Sequence, residues 1–143
     1  MQKLIVKNFG PIEYAEIEIK DLMIFIGPQA SGKSTLAKLV YFYRKVIERL
    51  AKSSIDLRKN MGYSRENFSA LLTFDLSYIF NLGNYDEEQY FLRGNTELTF
   101  FYLENYIRIL FTEKENDSVE ATVNLSERFI EFFDKIDNLK SNS

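Results

Sequence analysis

The sequence predicts an α/β fold in which parallel core strands carry a phosphate-binding loop and an antiparallel β-layer lies beside them. Three observations lead there. Gly27-Pro28-Gln29-Ala30-Ser31-Gly32-Lys33-Ser34-Thr35 matches the spacing G-x-x-x-x-G-K-[ST]. The apolar block Leu22-Met23-Ile24-Phe25-Ile26 before it reads as a buried strand, and Leu36, Leu39, Val40, Tyr43, Ile47 and Leu50 after it recur at helical spacing. Two further strands precede this unit and an antiparallel set follows it, which is not the strict β/α alternation of a small kinase.

Taken in order, residues 2–9 read as a strand centred on Leu4, Ile5 and Val6. Asn8-Phe9-Gly10-Pro11 supplies a turn. Residues 12–19 set Ile12, Tyr14, Ile17 and Ile19 against Glu13, Glu16, Glu18 and Lys20, with a slip near Ala15, as in a half-exposed strand of an antiparallel pair. The buried strand 22–26, the loop and a helix over about 34–51 come next. Residues 52–63, with Asn60 and Gly62, read as a loop, and 64–80 as a second helix through Phe68, Leu71, Leu72, Leu76 and Ile79. Residues 81–95, holding Asn81, Gly83, Asn84 and the acidic run Asp86-Glu87-Glu88, read as a surface excursion. Segments 96–103 and 106–112 form a hairpin around Glu104-Asn105; a turn at 115–118 leads to a strand at 119–123. Phe129, Ile130, Phe133 and Ile136 predict a last helix over about 125–139, and Lys140–Ser143 a frayed end.

The loop's residue types suit a polyphosphate. Glycines at 27 and 32 allow a tight turn and close approach of the backbone. The amide N–H groups then converge on an anion, helped by the positive end of the following helix. Lys33 is expected at the β- and γ-phosphates, and the Ser34 hydroxyl on Mg²⁺, a hard cation that prefers oxygen. Thr35 either donates to the α-phosphate or caps the helix; Pro28 stiffens the loop; Gln29 fills it or faces the γ-phosphate. ATP and Mg²⁺ are the expected ligands, with Gly27 to Thr35 as the binding residues.

Composition narrows the rest. With 143 residues the chain suits one domain with a real core. Hydrophobic content of 45% excludes a disordered chain, and the absence of cysteine and histidine excludes disulfides, thiolate zinc sites and His-based acid–base chemistry. No stretch resembles a signal peptide or reaches the length of a bilayer span, so a cytoplasmic protein with no membrane partner is expected. The net charge of −3 conceals an asymmetry: eleven Lys/Arg against six Asp/Glu leave residues 1–60 at +5, and seven against fifteen leave 61–143 at −8. Lys38, Arg44, Lys45, Arg49, Lys52, Arg58 and Lys59 make either a strip for nucleic acid or the solvated face of a helix plus linker. Glu48 and Asp56 interrupt the strip and favour the second reading.

Lys3 to Ile12, the alternating strand after it, and Ile24 to Leu36 together resemble the N-terminal lobe of the SMC/RecF/ABC-like ATPases. They look most like the AAA-type ATP-binding proteins of bacteria related to the OLD group, several of which serve in DNA repair or phage defence. The resemblance covers about residues 1–50; Gln29-Ala30 stands where SMC loops have Asn-Gly. It implies a partial P-loop NTPase: a single ATP-binding domain over 1–143, the N-terminal piece of a longer ATPase. It also implies a Walker B strand ending in Asp-Glu and a glycine-containing signature motif, neither of which is recognisable. Leu71-Leu72-Thr73-Phe74-Asp75 is followed by Leu76 where Glu belongs. Phe129–Asp134 fails likewise, and Leu125-Ser126-Glu127-Arg128-Phe129 lacks the signature glycines. No catalytic residue is assigned. Hydrolysis is expected to need the remainder of the parent ATPase or a homodimer.

Two other functions compete. A complete small P-loop phosphotransferase would use Arg58 and Arg65 in a lid. A binding module with a vestigial loop would present Phe100, Phe101, Tyr102, Tyr106 and Phe111 to a partner, although such aromatics more often pack a sheet.

Overall fold

Alternation of apolar and polar side chains builds the sheet, and the pairing of distant strands closes it. In the computed structural model, which describes residues 1–29, 31–55, 64–116 and 118–141, β1 (Gln2–Phe9) and β2 (Ile12–Glu18) form the expected hairpin. They are followed by α1 (Lys33–Ile55), α2 (Arg65–Phe80), α3 (Tyr85–Phe91), β3 (Leu92–Tyr102), β4 (Asn105–Glu113), β5 (Val119–Leu125) and α4 (Glu127–Ser141). The strand order is β2-β1-β3-β4-β5, antiparallel throughout. The parallel core strands expected from the sequence are therefore not found among the described residues.

The two faces of this sheet differ in chemistry. Leu4, Val6, Leu98, Phe100, Ile107 and Ile109 are buried beneath the helices. Phe100 meets Phe42 and Tyr43 of α1 at ring separations of 5.4 and 5.6 Å, and Phe68 of α2 meets Phe133 of α4 at 4.7 Å. On the opposite face Lys3 pairs with Glu16 at 3.0 Å and Arg108 with Glu97 at 3.1 Å. The Lys3 ammonium and the hydroxyl of Tyr14 hold the Glu16 carboxyl below its ordinary range. The slip near Ala15 has a simple cause: the inward phase of β2 runs through Ala15 and Ile17 towards Ile19, so Tyr14 points out and is 59% exposed.

Two segments depart from expectation. Residues 81–95 contain α3 and the first residues of β3 rather than an excursion. The acidic run that suggested solvent is the first turn of α3, where carboxylates complement the helix dipole. The Asn84 side chain caps it by accepting from the N–H groups of Asp86 and Glu87. Leu22–Ile26 is not a strand. It keeps a period of two, with Met23 and Phe25 partly buried against the core, but Leu22, Ile24 and Ile26 are 80, 76 and 90% exposed. Among the described residues, the backbone hydrogen bonds outside helices and strands do not involve this segment. Arg44 of α1 explains the path: it donates to the carbonyls of Lys20 and Asp21, both at 3.0 Å, and turns the chain from the sheet onto the helix.

The loop read over 52–63 is helical as far as Ile55, and its remainder, with Arg58, Lys59, Asn60 and Gly62, lies outside the described residues, as do Ala30, Asp117 and the last two residues. Among the described residues no helix is long and apolar enough to cross a membrane.

Candidate functional site

The phosphate loop sits where the extended segment 22–26 meets the start of α1. Gly32 has φ of +91°, a left-handed value that side chains disfavour, and its carbonyl accepts the first helical bond from Leu36 N–H at 2.9 Å. It thus occupies the N-cap of α1, with Lys33 as the first helical residue. Lys33 is half-buried and folds back so that Nζ donates to the carbonyl of Gly27. A Cβ on Gly27 would lie 3.1 Å from Ser31 Oγ and 3.7 Å from Lys33 Cδ, so a side chain there would fill the cradle.

The electrostatics of this corner are one-signed. The amide N–H groups of a helix start carry partial positive charge, and anions are what ordinarily stabilise it. Here the first turn holds no acidic residue and begins with a lysine. The residues present suit a polyphosphate: a helix start with no acidic residue in its first turn, a lysine at its first position, and glycines at 27 and 32.

The remaining candidates fall as follows. Pro28, Gln29, Ser31 and Ser34 are exposed. Thr35 is 7% exposed and lies inside α1, not at its cap. Ala30, between Gln29 and Ser31, is among the undescribed residues. The Ser34 side chain is exposed, unlike that of the neighbouring Thr35.

A family model described as an AAA ATPase domain matches residues 1–143. The chain belongs to the AAA ATPase domain family. Among curated proteins and solved structures no match was found.

The segments weighed as a Walker B strand are not strands in this AAA ATPase domain. Leu71–Asp75 is a middle stretch of α2 and Phe129–Asp134 lies in α4. The Asp75 carboxylate takes a two-point bond from Arg49, at 2.5 and 2.8 Å, and ties α2 to α1. Leu125–Phe129 is the junction of β5 and α4. The described residues of the basic strip make intramolecular contacts: Arg44 with backbone carbonyls, Arg49 with Asp75, Lys45 and Lys52 with Glu48, and Lys38 over the ring of Phe80 at 5.7 Å, while Arg58 and Lys59 lie outside the described residues. Phe100 and Phe111 are buried, while Phe101, Tyr102 and Tyr106 are half-buried, so the aromatic strands mostly pack the sheet. Arg65, the lid candidate, is exposed at the start of α2.

Sequence reasoning missed the contribution of the β1–β2 turn. A Cβ on Gly32 would meet Ile12 Cγ1 at 3.1 Å and Pro11 Cγ at 3.6 Å, so this turn lies directly against the loop. The signal was the unusual density of turn formers in Asn8-Phe9-Gly10-Pro11, legible as a turn but not as a neighbour of residue 32.

Proposed function

We propose that this chain is the ATP-binding lobe of an SMC/RecF/ABC-like ATPase related to the OLD group. It holds Mg–ATP through residues 27–35, with Lys33 at the β- and γ-phosphates and Ser34 at the cation. The observation that carries this reading is the uncompensated positive start of α1, where Lys33 turns back onto the Gly27 carbonyl beside a cradle a Cβ would fill. Bound Mg–ATP would supply the carboxylate-free site with the anion it is built to receive and a phosphoanhydride open to attack by water.

Hydrolysis by this lobe alone is not part of the proposal. Asp75, weighed as the end of a Walker B strand, is engaged by Arg49. The exposed Leu22, Ile24 and Ile26 support a reading in which a further polypeptide covers this segment and completes the site. That polypeptide is the remainder of a longer ATPase or a second copy.

Thermal unfolding with and without Mg–ATP tests the binding claim. At about a hundred times the dissociation constant, ligand adds roughly 2.7 kcal/mol. The wild type should shift its Tm by several degrees and Lys33→Ala should not. An unchanged wild-type Tm at millimolar nucleotide would sink binding by this chain alone, and would mean either that the site needs the further polypeptide or that the loop is vestigial.

A further inference from the structure

We propose that the β1–β2 turn is the positioning element of the phosphate loop, and that Ile12 sets where the Gly32–Lys33 peptide stands relative to bound phosphate. The proposal rests on the nucleotide-binding reading above. It follows from a chain of contacts none of which includes a loop donor's own side chain.

Ile12 begins β2, is 7% exposed and pairs across the turn with Phe9. Its Cγ1 lies 3.1 Å, and its Cδ1 3.8 Å, from the point a Gly32 Cβ would occupy. A residue at φ of +91° has no side chain with which to anchor itself, so its place is fixed by what abuts its backbone. Here that is the Ile12 side chain, with Pro11 beside it.

The turn is itself anchored from the other side. Gly10 has φ of +55° and donates its N–H to the carbonyl of Phe91 at 3.0 Å. A Cβ on Gly10 would be 2.8 Å from the Phe91 ring, a clash that leaves only glycine at this position. Phe91 in turn stacks with Phe9 at 5.1 Å and meets Phe80 at 4.9 Å. The aromatic cluster therefore holds Gly10, Gly10 holds the turn, and the turn holds Gly32 from behind. Supporting residues of this kind determine how well donors are aimed at a ligand they do not themselves touch.

Ile12→Ala removes Cγ1 and leaves Gly32 free to recede. Ile12→Val keeps the atom nearest Gly32 and loses only Cδ1. Isothermal titration of the full chain with Mg–ATP, at a temperature where denaturation curves show every variant folded, should give an affinity for Ile12→Ala roughly tenfold below wild type. Ile12→Val should restore most of it, and Tyr14→Ala, on the same strand but pointing to solvent, should bind as wild type does. Amide exchange should accelerate at Gly32, Lys33 and Ser34 in Ile12→Ala while staying unchanged at Leu39 and Val40, a pattern that a general loss of stability would not produce. Should Ile12→Ala fail to fold, the half-exposed Pro11→Ala takes its place, with a smaller loss in the same direction. Wild-type affinity in whichever of these two variants is measured would overturn the positioning role and leave nucleotide binding standing. A wild type that binds no Mg–ATP would overturn both.

Discussion

Leu4–Val6 and Leu22–Ile26 are both short apolar runs, and only the first is part of the sheet. β1 lies between β2 and β3 and exchanges backbone hydrogen bonds with both. Leu22–Ile26 keeps a period-two burial pattern but pairs with no strand among the described residues, lining instead, with Ala37, Val40 and Tyr41 of α1, a groove of about 210 Å³. Composition selects an extended backbone in both places. A strand exists only where a second chain segment satisfies its ladder. The consequence is energetic: equal side chains should matter very unequally in the two regions.

The largest effect belongs to the cluster behind β1. Phe9 is fully buried and touches Phe80 edge-on at 4.8 Å and Phe91 at 5.1 Å. Phe9→Ala should cost about 3–5 kcal/mol in urea unfolding, through lost burial and the cavity left behind. A loss below about 1 kcal/mol would mean the cluster collapses around the gap and the sheet edge is not rigid.

Next comes the tie between α1 and α2. The Arg49–Asp75 pair is two-pointed and largely screened from solvent, with side chains 25 and 14% exposed. Asp75→Ala should destabilise by about 1–3 kcal/mol, because it removes the two-point, charge-assisted bond to a partly desolvated guanidinium. A double-mutant cycle with Arg49→Ala should return a coupling of the same sign, and a coupling near zero would demote the pair to a surface contact.

How much of this could be read from the sequence follows from the same contrast. The hairpins, the helices and the phosphate loop were legible because each rests on local signals: alternation, helical spacing, and glycines around a lysine. α3 was missed because an acidic run reads as surface, yet Asn84 and three carboxylates are what a helix start needs. The fate of Leu22–Ile26 was not legible because it depends on Arg44, 20 residues downstream of Ile24, clasping the carbonyls of Lys20 and Asp21. Of the candidate site, the glycine-lysine motif and the helix that follows it were legible; its contact with Ile12 was not, since nothing local to residue 12 points to residue 32.

A smaller effect distinguishes α1 from the sheet it covers. Tyr43, 1% exposed, donates its phenol to the carbonyl of Phe101 at 2.8 Å. Tyr43→Phe should cost about 1 kcal/mol. Burial, aided by the nearby Tyr102, pushes this phenol far above its ordinary value of 10.0. The folded state therefore keeps a proton that the unfolded chain releases. Stability from this group is complete below about pH 10 and falls as pH rises towards the folded value. Tyr43→Phe should flatten that alkaline decline in a pH series of unfolding midpoints, and an equally steep decline in the variant would assign it to other groups.

The smallest effect returns to the segment beside the loop. Ile26 is 90% exposed and Ile24 76%, so Ile24→Ser and Ile26→Ser should each change stability by less than about 0.5 kcal/mol. Val6→Ser, on a fully buried position of β1, should cost several times more. If a second copy covers this segment, the two serine variants should shift sedimentation towards monomer at concentrations where the wild type associates, while their unfolding midpoints measured in dilute solution stay put. Unfolding losses above about 1 kcal/mol in a monomeric Ile24→Ser or Ile26→Ser would mean that the segment is already packed within the chain, and would remove the contrast with β1 on which its reading as an uncovered segment depends.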